Sequence, residues 1–340
     1  MADADLVLEG GGVKGSGLVG AITALADRED PYTFHRVAGT SAGAIVASLL
    51  AAGYQVPEIK QIMDDLDFSR FEDTPKPFGH VPHIGAALGL IFHEGMYSGN
   101  FLHDWIEQTL AARGIHTWAD LKQDDPGSSL PPEQRYKLVV IVSDVSRGFM
   151  LRLPWDYRSL LGVDPDTQSV ADSVRASASI PFFFEPFTMA CDPEVTGHPK
   201  ILCTDGGMLS NYPIDIFDRT DGQPERWPTL GVKLSARTNL TKAPWNSDAN
   251  SFELAKSLLA TMQSAHDRVH IVDPAFASRT IFVDTTGFAA TDFTLTPQDK
   301  ATLFGNGQRS GQHFLTAWDW AAWKQGKYQD LLRAVAAAPS

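Results

Sequence analysis

Three short stretches of this chain combine residue types that can do chemistry together. Ser41 lies in Gly39-Thr40-Ser41-Ala42-Gly43, a G-x-S-x-G arrangement. A strand-like run, Phe34 to Ala38, leads in, and a strongly apolar helical run, Ala44 to Ala52, leads out. That is the setting of a nucleophile elbow, where a serine stands at the tip of a sharp strand-to-helix turn. The small residues Gly39, Ala42 and Gly43 relieve crowding at such a turn, and a helix N-terminus favours negative charge developing beside it. The plainer reading of Ser41 is a helix N-cap. A serine nucleophile needs a proton acceptor. Asp205, in Thr204-Asp205-Gly206-Gly207 after the strand-like Ile201 to Cys203, supplies one directly if its carboxylate is held against the serine oxygen. Otherwise an Asp-Gly-Gly after a strand is an ordinary turn.

The third stretch is Gly10-Gly11-Gly12-Val13-Lys14-Gly15, between the strand-like Leu6 to Glu9 and the helix-like Leu18 to Leu25. Backbone N–H groups at such a helix N-terminus make an anion site. As oxyanion donors, each would be worth roughly 3–4 kcal/mol of barrier. The same residues match G-x-G-x-x-G, the dinucleotide fingerprint, which expects an acidic residue about 20 positions on, at the end of the next strand. Here that strand ends in Gly39-Thr40-Ser41, and the acidic cluster at 27–30 precedes it. A nicotinamide dinucleotide is therefore disfavoured. A Ser-His-Asp triad of the hydrolase type is also disfavoured, because several strands normally precede its serine. His266, His270 and His313 read as surface or packing residues.

The elements that must position these groups follow from the pattern. Strand, turn, helix, strand, turn, helix over the first fifty residues implies a parallel sheet with helices on its faces. Further strands are expected at 137–142, 148–153, 201–204, 229–234 and 280–283, and helices at 101–112, 170–179, 252–271 and 298–317. The region 221–250 reads as connecting loops. Two apolar groups are open to two readings: Phe182-Phe183-Phe184 with Phe187, and the island Ile84 to Phe92, belong either to the core or to an acyl groove or bilayer contact. Trp318, Trp320 and Trp323 suit helix packing or an interfacial anchor.

Asp and Glu outnumber Lys and Arg by 41 to 28, a formal charge of -13. No basic stripe exists to neutralise phosphates, which argues against nucleic acid and against electrostatic docking on anionic lipid. Cys191 and Cys203 are too few for a disulfide framework or a structural zinc site. No run reaches the ~18 apolar residues of a transmembrane helix. With neither a basic n-region nor an apolar h-region at the start, a cytoplasmic protein is expected.

Taken together, the three stretches resemble the signature blocks of the patatin-like phospholipases, in the same order. Ala176-Ser177-x-Ser179-Ile180-Pro181, followed by Phe184-x-Pro186, is similar to another family block, as is the continuation of Asp205-Gly206-Gly207 into Asn211-x-Pro213-Ile214. The resemblance spans about residues 5–320, with 321–340 as a C-terminal helical extension of a single domain, 1–340. It implies an α/β fold, a three-layer α/β/α sandwich with a mostly parallel central sheet. It also implies a Ser41–Asp205 dyad that cleaves carboxylic esters of lipids through an acyl-enzyme, with no metal and no cofactor. Gly10, Gly11, Gly12, Val13, Lys14 and Gly15 would form the oxyanion loop, Gly39 and Gly43 the elbow, and Gly206 and Gly207 the turn behind the carboxylate. Lys14 stands where the family often has Arg, so the planar fork for a bidentate contact is missing. The expected partners are a lipid ester and, peripherally, a membrane. The alternatives are a general short-chain carboxylesterase and a non-catalytic lipid- or partner-binding protein on the same scaffold. An ordinary aspartate is ionised far below pH 7, so activity is not expected to need an ionisation near 6.5.

Overall fold

The structure, a computed structural model, describes residues 2–73, 95–234, 261 and 273–337. The island at 84–92, the expected helix at 252–271 apart from residue 261, and most of the segment 221–250 lie outside the described residues, as do His266 and His270. The first two strands, β1 (Ala2–Leu8) and β2 (Tyr32–Thr40), are parallel and are joined through α1 (Gly15–Ala26). In parallel order, β4 (Leu138–Asp144) follows β2, while β9 (Thr229–Lys233) and then β10 (Thr280–Phe282) extend the sheet beyond β1. Every residue of β4 and β9 is buried. Strands with no exposed face need cover on both sides, which is why they read as unbroken apolar runs rather than alternating ones.

The cover comes from helices. α2 (Ala42–Ala51) lies on β1, β2 and β4, and α5 (Val170–Ser177) lies on β4 and the strand β8 (Lys200–Asp205). α1 packs along α6 (Pro297–Ala317). At this crossing a Cβ on Gly20 would stand 2.0 Å from the Phe304 carbonyl oxygen, and one on Gly307 would stand 2.0 Å from that of Gly17. Glycine lets the two backbones touch, and so fixes the helix that carries the Gly10–Gly15 loop. An element that the sequence reading missed, α3 (Val56–Asp65), is closed by a capping box between Gln55 and Glu58 and buries Ile59 and Met63. α4 (Asn100–Ala111) forms where the amphipathic pattern predicted it.

The arrangement that matters most for function is at one edge of β4. β5 (Phe149–Leu153) pairs antiparallel along one side of β4, over Val140–Asp144. The other side is shared: Thr40 of β2 pairs with Ile141, and Asp205 of β8, running the opposite way, pairs with Val142. The C-terminal ends of β2 and β8 therefore meet head to head on adjacent residues of β4. Beyond β8 lies β7 (Phe187–Ala190), antiparallel to it, while β3 (Gly95–Tyr97) and β6 (Phe182–Phe184) form a separate parallel pair. No described helix is long and apolar enough to cross a membrane.

Candidate active site

Ser41 takes φ 52° and ψ −122°, and only one other described non-glycine residue, Phe182, has positive φ. Such a backbone costs of order 1–3 kcal/mol and persists only where its surroundings insist on it. Here the Ser41 N–H donates to Ser177 Oγ at 2.8 Å, and that hydroxyl donates to the Ile141 carbonyl at 2.6 Å. A Cβ on Gly39 would meet the Gly43 carbonyl carbon at 2.3 Å, and one on Gly43 would meet the Leu8 oxygen at 2.2 Å, so neither position admits a larger residue. The Ser41 side chain makes no capping hydrogen bond, which removes the N-cap reading.

Asp205 is held from two sides. Its N–H donates to the Ser179 carbonyl at 2.8 Å, and its Oδ1 accepts the Gly207 N–H at 2.8 Å. The second oxygen, Oδ2, is buried and has no hydrogen bond among the described residues. Burial pushes the carboxyl up to about 6, against the pull of the neighbouring Ser41 hydroxyl and the Gly207 N–H. The expectation of an ordinary, low-pKa aspartate is thus corrected: desolvation makes Asp205 a better base and brings its ionisation close to the range of a histidine. The end of α5 serves both groups, since Ser177 braces Ser41 and Ser179 braces Asp205. Gly206 packs with its Cα against the Ile141 carbonyl, where a Cβ would come within 2.2 Å.

In the glycine loop the donors divide. Gly10 N–H donates to the Asn211 carbonyl at 3.2 Å, and Lys14 N–H donates to Gly11 at 3.3 Å. Val13 N–H donates to the Ala290 carbonyl at 3.1 Å. Val13 is therefore corrected as an oxyanion donor in this conformation: a loop from far along the chain has taken its N–H. The N–H groups of Gly11 and Gly12 have no partner among the described residues, and Gly12 has φ 57°. Gly15 belongs to the first turn of α1, beneath Met63. Lys14 is half-buried near Glu9 and Lys233; desolvation lowers its pKa most, and Glu9 acts in the opposite sense. Glu9 Oε1 accepts from Lys233 Nζ and from Asn211 Nδ2, while Oε2 accepts the Leu234 N–H. This cluster anchors the root of the loop.

An apolar pocket opens at Ser41, with about 420 Å³ of free space, part of it open to solvent. Ile45, Met63, Leu66, Leu102, Phe184 and Phe293 are among its lining residues. The three phenylalanines divide: Phe184 lines the pocket, Phe183 stacks on Phe293 at 4.3 Å between ring centres, and Phe182 is 42% exposed. Phe187 is half-buried beside His103. The tryptophans follow the packing reading, with Trp318 stacked on Phe314 and Trp320 on Trp323, which in turn donates to the Ala275 carbonyl. His313 packs against the Val335 carbonyl. No described histidine lines the pocket. Outside it, His103, Asp104 and Glu107 on α4 bring possible ligand atoms within 4.8 Å of one another at the surface.

Sequence reasoning missed the supporting residues. Ser177 and Asn211 stood in recognised blocks but carried no assigned role. Glu9, Lys233, Ala290 and Phe293 gave no signal, because their contacts span most of the chain.

The patatin-like phospholipase family model matches residues 6–218. The uncharacterized protein YqhO of Bacillus subtilis is 37% identical over 314 residues, covering 92% of this chain and 98% of its own. The uncharacterized protein R571 of Acanthamoeba polyphaga mimivirus is 25% identical, covering 90% of this chain and 91% of its own. Among solved structures, VipD from Legionella pneumophila is similar in fold, with a TM-score of 0.50 and 20% identity over 92% of this chain and 67% of its own. The α/β fold with its mostly parallel sheet, the family model and the relative at 37% identity agree, and the chain belongs to the patatin-like phospholipase family.

Proposed function

We propose that this protein hydrolyses carboxylic esters of lipids, with Ser41 as nucleophile and Asp205 as base. The observation that carries this reading is a strained, buried serine lining an apolar pocket, next to a buried carboxylate oxygen that has no hydrogen bond among the described residues. Ser41 Oγ attacks the ester carbonyl carbon as Asp205 takes its proton. The N–H groups of Gly11 and Gly12, with the N-terminus of α2 behind Ser41, stabilise the oxyanion. Collapse expels the alcohol, which leaves with the proton held by Asp205, and the acyl group stays on Ser41. Water then attacks the acyl carbon with Asp205 again as base, and Ser41 is released. Chain-like acyl groups suit the pocket because its lining is apolar. Family membership supports a lipid substrate over an unrelated ester.

The test is hydrolysis of p-nitrophenyl esters of increasing chain length and of phospholipid and lysophospholipid vesicles, by wild type and Ser41→Ala. Turnover that disappears in the variant, with a preference for longer chains, is expected. Turnover that survives in Ser41→Ala overturns the assignment. Inactivity of a folded wild type towards every ester, with lipid binding retained, favours the non-catalytic scaffold.

A further inference from the structure

Two buried acceptor atoms near the candidate nucleophile have no hydrogen bond among the described residues: Asp205 Oδ2 and Asn211 Oδ1. The first is the base. The second has no part in the reaction described so far, and Asn211 is only 7% exposed. A buried carbonyl left without a donor costs about 1–3 kcal/mol, so its orientation needs a cause. Asn211 Nδ2 lies 3.3 Å from Glu9 Oε1 and 3.2 Å from the Gly10 carbonyl oxygen. Both are acceptors. Turning the amide over would set oxygen against oxygen twice, so the network fixes which end faces which way.

The freed oxygen lies close to the nucleophile. A Cβ on Gly10 would stand 2.3 Å from Asn211 Oδ1 and 3.2 Å from Ser41 Cβ, so Asn211 Oδ1 and the Ser41 side chain pack against the same glycine. An ester offers no donor at its reacting atoms, and an acceptor beside the nucleophile does nothing for it. Water has two O–H groups. Each needs an acceptor, and the two unmatched buried acceptors near Ser41 are Asp205 Oδ2 and Asn211 Oδ1.

We infer that Asn211 Oδ1 holds and orients the water that hydrolyses the acyl-enzyme. The inference rests on the Ser41–Asp205 reading and deepens it. In this step the water oxygen bonds to the acyl carbon as one water proton passes to Asp205. The C–Oγ bond of Ser41 then breaks, and Oγ recovers that proton. The second water proton stays on the product acid and is lost to solvent. Asn211 accepts a hydrogen bond throughout and exchanges no proton.

Stopped-flow hydrolysis of p-nitrophenyl butyrate by wild type and Asn211→Ala separates the two half-reactions. The expected result is a burst of one p-nitrophenol per enzyme in the variant, with deacylation slowed by a much larger factor than acylation, because the variant also loses the Nδ2 bonds to Glu9 and the Gly10 carbonyl. Steady-state turnover falls about 10- to 100-fold, the scale of losing a positioned reactant. If Asn211 only braces the glycine loop, acylation and phosphonate labelling of Ser41 slow together with turnover, and the inference is overturned. Unchanged kinetics overturn it equally. Failure of wild type to be labelled at Ser41 defeats the underlying hydrolase reading instead, and so is told apart. If Asn211→Ala does not fold, a crystal structure of the wild-type phosphonate adduct decides. A water about 2.7–3.1 Å from Asn211 Oδ1 supports the role, and a protein donor in that place rejects it.

Discussion

Replacing Asp205 with Asn should abolish turnover and, at neutral pH, make the protein more stable. Burial moves the carboxyl from 3.8 to about 6, which means the folded protein binds this proton more tightly than the unfolded chain does. Between about pH 4 and 6 the folded state therefore carries the extra proton, and stability falls as pH rises through that window. Above it the whole penalty is present, about 3 kcal/mol. Asn has no charge to desolvate, can still accept the Gly207 N–H through Oδ1, and offers its Nδ2 donor to the neighbouring Ser41 hydroxyl oxygen. At the usual unfolding entropy per residue, a 340-residue chain would gain about 4 °C in Tm. The assay is thermal and urea unfolding of wild type and Asp205→Asn from pH 4 to 8, with ester turnover measured on the same samples. The difference in stability should be near zero at pH 4 and open by pH 7. A variant that is less stable at pH 7, or a difference that does not change with pH, would refute the claim that Asp205 is held as an unpaired buried base.

Other outcomes follow from the same geometry. The rate profile, kcat/KM against pH, should fall on the acid side with an apparent pKa near 6, to about a tenth of its plateau at pH 5; loss of that limb in a single histidine variant would transfer the base role to imidazole. Ser177→Ala leaves the Ser41 N–H buried without its partner, at a cost of about 1–3 kcal/mol, and should lower kcat by about 10- to 100-fold with little change in KM; a wild-type kcat would show that the elbow holds without it. Gly12→Ala would place a Cβ 1.9 Å from the Ala290 oxygen at a residue with φ 57°, so phosphonate labelling of Ser41 should slow sharply, and an unaffected labelling rate would remove Gly12 from the oxyanion site.

What the sequence made legible was local. The elbow, the glycine loop and the Asp-Gly-Gly turn are each defined within a few residues, and the strands that carry them read from unbroken apolar runs such as Leu138 to Val142. What stayed hidden depends on meetings between distant segments. The head-to-head abutment of β2 and β8 on β4 leaves no periodic trace, yet it brings Ser41 to Asp205. The Val13 N–H was read as an oxyanion donor because nothing near it in sequence competes; its competitor, the Ala290 carbonyl, lies on the far side of β9 and β10. The ionisation of Asp205 was misjudged for the same reason, since desolvation is a property of the packed neighbourhood and not of an Asp-Gly-Gly turn. α3 was legible and overlooked: Val56, Ile59, Ile62 and Met63 stand at helical spacing behind the Gln55–Glu58 capping box and all pack on the core.

The energetics of the site bear on which of the surviving readings fits. Ser41 sits in a backbone conformation costing of order 1–3 kcal/mol, Asp205 keeps a buried charge worth about 3 kcal/mol, and Asn211 leaves an acceptor unmatched at about 1–3 kcal/mol. All three lie around one residue, and the covered sheet and the bracing by Ser177, Ser179 and Glu9 must offset them. A scaffold that merely bound a lipid chain would need the apolar lining of the pocket and none of these unfavourable groups. Leucine in place of Asp205 would serve it better. The proposed mechanism gives each of them a use: the strained turn exposes the nucleophile, the desolvated carboxylate takes its proton, and the open acceptor directs the water that frees it. Unfavourable terms gathered at one point are what the proposed hydrolase would use, and binding alone asks for none of them.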